Sequence, residues 1–239
     1  MNFADAPMEA LDRIYACYDA LAKDFTTACT RGCSLCCTQD VTLTSLEGRY
    51  LLRHILKNGR EDLLLSFHDN PALETAGRVV TTNEFAQLCF SGKDLSEDGI
   101  PSARQPCKLL SHGQCAVYEA RPFGCRCFFS TRPCEKEACA VVDPFLLTLN
   151  TVFLQFIEHI DRGGFFGKLE HVVVALERRI PYTAAGGGTW PPALPTNCSI
   201  PGLLIPPEHR SRMEPIVSNL VQIASGIIRT GHANPKRSN

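Results

Sequence analysis

Apolar residues recur every three or four positions through the first part of the chain, lose that rhythm in the middle, and regain it later. From Asp5 to about Ala28, the residues Leu11, Ile14, Tyr15, Tyr18, Leu21 and Phe25 make the stripe of an amphipathic helix. Thr44-Ser45-Leu46-Glu47 has the form of a capped start to a second helix, with Leu51, Leu52, Ile55 and Leu56 as its apolar face and Asn58-Gly59 as its end. Asp62 to Phe67 adds a turn. Pro71 to about Phe90 predicts a third helix, weakened by Gly77 and by the β-branched run from Val79 to Thr82.

From Ser91 to Arg132, Gly, Pro and Ser interrupt short apolar pieces. Cys107 to Tyr118 predicts a small hairpin turning at His112-Gly113, followed by a turn at Arg121-Pro122. Helical periodicity returns at Pro144 to Asp161, apolar on nearly all sides as in a buried central helix, and again from Lys168 to Ile180. Between Pro181 and Pro207 the chain holds seven prolines and a Gly186 to Gly188 run, which predicts an extended arm rather than a packed element. Glu208 to about Arg229 predicts a last helix, and the tail GHANPKRSN is expected to be disordered. The expected fold is mainly α, with helices surrounding an irregular cysteine-rich layer and a small β-hairpin. It divides into a helical cysteine-cluster domain (1–143), core helices packed on it (144–180), the arm (181–207) and a C-terminal helix with its tail (208–239).

Composition narrows the function. With 239 residues and 44% hydrophobic content the chain can bury a sizeable core. Its net charge of −1, from 24 basic against 25 acidic residues, leaves no basic block to track a phosphate backbone, so nucleic acid is not an expected partner. The longest uncharged apolar stretch, Pro144 to Ile157, has 14 residues and is too short to span a bilayer. The N-terminus lacks the basic start and apolar run of a signal peptide, so the expectation is a cytoplasmic protein with no membrane partner.

The unusual number is thirteen cysteines, eleven of them between Cys29 and Cys139. Disulfide frameworks belong mainly to small secreted chains, whereas in a reducing compartment the same density points to thiolate ligation. Metal binding needs several soft ligands converging within a few ångströms, and Cys33-Ser-Leu-Cys36 is a turn that supplies two from one loop. A second set lies downstream at Cys107, Cys115, Cys125, Cys127, Cys134 and Cys139. The adjacent pair Cys36 and Cys37 poses a geometric problem, because successive side chains on extended backbone face opposite ways, so both reach one small ion only through a special turn. That asymmetry favours an iron–sulfur cluster or two metals over a single structural zinc. A vicinal disulfide is the strained alternative.

CTRGCSLCC, followed about seventy residues later by CKLLSHGQCAVYEARPFGCR, resembles the YkgJ-type cysteine-cluster family, whose members are described as zinc- or iron-chelating. The resemblance covers roughly residues 29 to 130 and rests on Cys33, Cys36 and Cys37, then Cys107, then Cys115 with Tyr118, then Arg121-Pro122 with Cys125-Arg126. The chain departs from the family pattern in placing three residues between Cys29 and Cys33. The resemblance implies a metal centre, a 4Fe-4S cluster or zinc, held by Cys33, Cys36, Cys107 and Cys125, then by Cys37, Cys115 and Cys29. Four thiolates on either centre leave a net charge of about −2, which Arg121 and Arg126, flanking Cys125, are placed to offset. His112 is expected to be a turn residue, His159 and His171 to be surface or helix-end residues, and Trp190 to anchor the arm.

Two other classes compete with simple chelation. Relatives of the family include flagellin lysine N-methylases, which would make the cluster an accessory to modification of a protein substrate. No Gly-rich loop for S-adenosylmethionine is present, so that activity is not carried over. A structural zinc module presenting helices to a protein partner is the remaining alternative.

Overall fold

The computed structural model describes residues 5–68, 79–93, 105–134, 139–177 and 194–230. The expected tail, Trp190 and residues 71–78 and 181–193 lie outside the described residues. Within them the chain is mainly helical, as its periodicity predicts. No helix of the described residues is long and apolar enough to cross a membrane.

Helix α1 (Asp5–Ala22) buries Leu11, Ile14, Tyr15 and Tyr18. It stops short of the expected Ala28 because Asp24 and Phe25 donate back to the carbonyls of Leu21 and Ala22 in tight turns, and Thr26-Thr27 follow with β-branched side chains. Phe25 still faces the core, stacking on Phe145 at 6.3 Å. Strand β1 (Thr42–Thr44) leads directly into α2 (Ser45–Lys57) through the predicted capping box: Glu47 N donates to Thr44 Oγ1 at 3.3 Å, and Thr44 N donates to the Glu47 carboxylate at 2.9 Å. Asn58 and Gly59, at φ 62, close the helix as expected. Helices α3 (Asp62–His68) and α4 (Thr82–Phe90) follow, the latter capped by Thr81. The β-branched Val79 and Val80 therefore precede α4 in irregular chain rather than lying inside a helix.

The predicted hairpin is β2 (Leu110–Ser111) with β3 (Gln114–Cys115). His112 at φ 49 and Gly113 at φ 74 make the primed turn that suits strand twist. A 3-10 turn at Tyr118–Ala120 and α5 (Phe123–Cys127) flank the Arg121-Pro122 turn. The central helix α6 (Pro144–Ile160) is capped by Asp143, which accepts from the amides of Phe145 and Leu146. Strand β4 (Phe166–Lys168) pairs antiparallel with β1, with Leu43 opposite Gly167, and runs into α7 (Leu169–Glu177). This ribbon was not legible in the sequence, since three-residue strands are too short for a period-2 pattern. The chain ends its described course in α8 (Arg210–Thr230).

Two apolar clusters form the interior. One joins α1, α5, α6 and α8 through Leu11, Tyr18, Phe123, Phe153, Met213 and Leu220. The other joins α2, α3, α7 and the hairpin region through Leu51, Ile55, Phe67, Leu109, Val117 and Val173. Where α7 crosses α2, Gly48 is required, because a Cβ there would lie 2.7 Å from both Val172 Cγ1 and Leu176 Cδ1. His171 on α7 is buried, which corrects its expected surface position.

Three buried carboxylates bind helix starts to other elements. Glu47 Oε1 accepts from Tyr15 Oη at 2.9 Å and from the first amide of α5, Phe123 N, at 2.7 Å. Asp161, at the end of α6, accepts from Ser45 Oγ and Leu46 N at the start of α2, and from Arg49 and Asn197. Glu158 accepts from Thr81 Oγ1 and Asn83 N at the start of α4 and from Cys198 N. Helix N-termini carry unpaired N–H groups and partial positive charge, so a carboxylate there satisfies both. These contacts also correct the expected loose arm: residues 194–207 are extended but packed, with Leu194 buried, Asn197 N donating to the Gly164 carbonyl, and Leu204 N donating to Gln155.

Replacing Glu47 with Ala orphans two backbone amides and a phenol in the interior, so we expect a loss on the order of 3 kcal/mol or more, read as a lowered urea midpoint. Burial, with the Glu47 carboxylate adding to it at Tyr15, pushes the phenols of Tyr15 and Tyr18 well above the ordinary 10.0. A raised native value means that their contribution is complete below pH 10 and is lost above it. Alkaline titration should therefore show their phenolate absorbance rising together with the loss of helical ellipticity.

Candidate metal centre

The CTRGCSLCC loop is a chain of tight turns. Cys33 N donates to the Thr30 carbonyl and Cys37 N to the Ser34 carbonyl, both at 3.0 Å, with Gly32 at φ 97 between them. Thr38 N then donates to the Cys36 carbonyl at 3.0 Å, an i to i+2 bond that centres a γ-turn on Cys37. The two neighbouring thiols act on each other there, raising the Cys36 thiol and lowering that of Cys37.

Backbone pairing carries this loop to the downstream cysteines. Cys107 N donates to the Cys37 carbonyl at 3.0 Å, Thr38 and Pro106 form an antiparallel bridge, and Gln39 N donates to the Gln105 carbonyl. Cys115 follows on β3, opposite Leu110. Cys125 lies in α5, whose first amide is held by Glu47. The thiols of Cys125, Cys107 and Cys115 all act electrostatically on Cys37, and those of Cys107, Cys115, Cys127 and Cys36 act on Cys125. Cys36, Cys37, Cys107, Cys115 and Cys125 thus share one region of the surface. All thirteen cysteines are free thiols.

Burial is the largest influence on Cys107 and Cys115 and raises both. It is opposed at each by a backbone N–H two residues further on, Leu109 for Cys107 and Val117 for Cys115, which favours the thiolate. Two separate loops aiming an N–H at the cysteine two positions back is a geometry suited to holding thiolate ligands. Cys125 keeps solvent access, yet protein atoms crowd its sulfur from the other side and push its thiol well up. Among the described residues, no three Cys, His, Asp or Glu side chains already stand at the spacing of a ligand shell. The five thiols fit a soft metal by donor type, Cys107 and Cys115 also by their N–H partners, and their sulfurs have χ1 rotation with which to close on it.

The other candidates are placed differently. Cys33 and Cys36 are exposed on the loop. Cys29 is turned to another segment: its sulfur accepts from Ser130 N at 3.4 Å, and Ala28 N donates to the Ser130 carbonyl. Cys127 belongs to the core, its thiol raised to about 12 chiefly by burial. Cys134 is half-buried and Cys139 exposed. Cys89, on α4, is exposed as well.

The two arginines part company. Arg126 points to α1, with Nη1 on Asp19 at 2.8 Å, Nη2 on the Glu119 carbonyl at 3.3 Å and its guanidinium 4.4 Å from the Tyr15 ring centre. Its role in this geometry is to dock α5 onto α1, not to face the thiols. Arg121 does act on Cys115 and Cys127, lowering both thiols, and its Nε is buried without a hydrogen-bond partner. Its guanidinium lies 4.0 Å from the Tyr118 ring centre, and that of Arg31, from the cysteine loop, lies 5.2 Å from the same ring. Sequence reasoning missed Arg31. Its only signal was a basic residue inside a cysteine loop.

Comparison of the chain with family models, curated proteins and solved structures finds no match.

Reactivity follows thiolate availability and access. In metal-free native protein, a limiting alkylating reagent is expected to label the exposed Cys33, Cys89 and Cys139 ahead of the buried Cys127, which is labelled last, as mapped by mass spectrometry of digests. Early labelling of Cys127 contradicts this placement.

Proposed function

We propose that this chain chelates a soft metal, as an iron–sulfur cluster or as zinc, through Cys36, Cys37, Cys107, Cys115 and Cys125, with Cys33 as an exposed sixth candidate. The observation that carries this reading is the Cys37–Cys107 backbone pairing, which sets two thiol-bearing segments seventy residues apart side by side. The order of motifs resembling YkgJ-type proteins supports the same chemistry. A soft ligand set of this kind suits a reducing compartment, and we assign the protein to the cytoplasm on that ground. Cys29 is a weaker candidate, given its bond from Ser130.

Bound as a cluster, the metal would supply one-electron redox chemistry; as zinc, it would supply a fixed positive charge. The residues divide the work. Cys107 and Cys115 are held by their loop amides, Cys37 by its γ-turn, and Arg121 offsets charge beside Cys115. The two apolar clusters are complete without the five thiols, with Cys107 and Cys115 only at the margin of one. That favours a centre that serves a function over a structural zinc on which folding depends.

Oxygen-free purification followed by metal and sulfide analysis tests the proposal. A brown protein with stoichiometric iron and sulfide, or a colourless one with stoichiometric zinc, supports it, and a preparation with neither overturns it. Cys37→Ser and Cys107→Ser are expected to lose the metal, together with the rise in melting temperature that binding confers, whereas Cys198→Ser keeps both. Equal metal content in all three variants contradicts the assignment.

A further inference from the structure

The loop that carries Cys33, Cys36 and Cys37 has little to hold it by packing. Its one large aliphatic side chain, Leu35, is 59% exposed. Its turns bond it to itself, Cys29 ties its first residue to Ser130, and at its far end the Cys37 carbonyl accepts from Cys107 N. Between these points, Arg31 reaches out to Tyr118, three residues past Cys115, and Arg121 lies on the same ring from the other side of the motif. Two guanidiniums share one aromatic ring, and among the described residues neither makes an ion pair with a carboxylate. Like charges gathered on one ring raise the local potential, and Arg121 acts on the nearby Cys115 thiol.

We propose that Arg31, Tyr118 and Arg121 form a clasp in which Arg31 is a positioning residue for the centre, fixing the 29–37 loop over the downstream thiols and supplying positive charge to them. This rests on the metal reading for its second half, while the first half concerns the chain alone. The tyrosine ring, rather than its hydroxyl, is the working part, since the cation is attracted to the ring face. Phenylalanine at 118 therefore suffices, and leucine does not.

The test uses Arg31→Gln, Tyr118→Leu and Tyr118→Phe in two measurements. In metal-free, reduced protein, amide hydrogen exchange across residues 30–37 should quicken about two- to fivefold in Arg31→Gln and Tyr118→Leu and stay unchanged in Tyr118→Phe. Zinc affinity, measured by competition with a chromophoric chelator, should fall about tenfold in the first two variants and hold in the third. The melting temperature of the metal-free Arg31→Gln protein should not move, because Arg31 is exposed. Unchanged exchange in both disruptive variants overturns the clasp. Faster exchange with undiminished zinc affinity overturns the positioning role. Wild-type protein that takes up zinc while Arg31→Gln and Tyr118→Leu bind it equally well defeats this inference alone, whereas wild-type protein that takes up neither zinc nor iron defeats the metal reading and the positioning role with it.

Discussion

The Glu47 carboxylate is buried where α1, α2 and α5 meet, and it accepts hydrogen bonds from all three. One oxygen closes the capping box of its own helix, while the other takes the Tyr15 hydroxyl and the first amide of α5. Taking a carboxylate out of water is costly unless its lone pairs are met, and here four donors meet them. The consequence is positional. Helix α5 has no side-chain cap of its own, so the orientation of Cys125 and Cys127 depends on a residue of α2. Asp161 and Glu158 repeat the device at the starts of α2 and α4, which makes buried carboxylate to helix terminus the recurrent joint of this fold.

With those joints in place the thiol layer is an addition to a framework already closed. Its members hang from a γ-turn, a hairpin and a five-residue helix, and each of these is anchored by backbone or carboxylate contacts rather than by sulfur. Cores that close without the ligands leave the ligands free to be exposed, and Cys33, Cys36 and Cys125 are. The thiol-bearing segments are thus open to solvent on one face and backed by protein on the other.

Charge is distributed with the same economy. Arg126 and Arg121 stand five residues apart and take opposite directions, one to Asp19 and the Tyr15 ring, the other toward Cys115 and Tyr118. Crowded by protein and by one another, the clustered thiols raise their own pKa values through desolvation and mutual repulsion, as at Cys125. The amides of Leu109 and Val117 and the Arg121 guanidinium act against that trend, the amides at Cys107 and Cys115 and the guanidinium at Cys115.

Local pattern determined a good deal. The spacing of Leu11, Ile14 and Tyr18, the Thr44–Glu47 box, the His112-Gly113 turn and the apolar run after Pro144 each encode an element through contacts within a few residues, so each was legible. The density of cysteine was legible for the same reason, being a property of the string. What tertiary structure decided is which thiol-bearing segments lie side by side. That depends on Cys37 pairing with Cys107 across seventy residues, on β1 finding β4, and on Glu47 reaching Phe123, none of which leaves a periodic trace. Arg126 flanks Cys125 in sequence, yet the turn of α5 sends it to α1, while Arg31, remote from Tyr118 in sequence, lies over its ring. Neighbourhood in sequence constrains backbone conformation strongly, but a side chain's partner is chosen by where helices pack, and packing is settled by the whole chain at once.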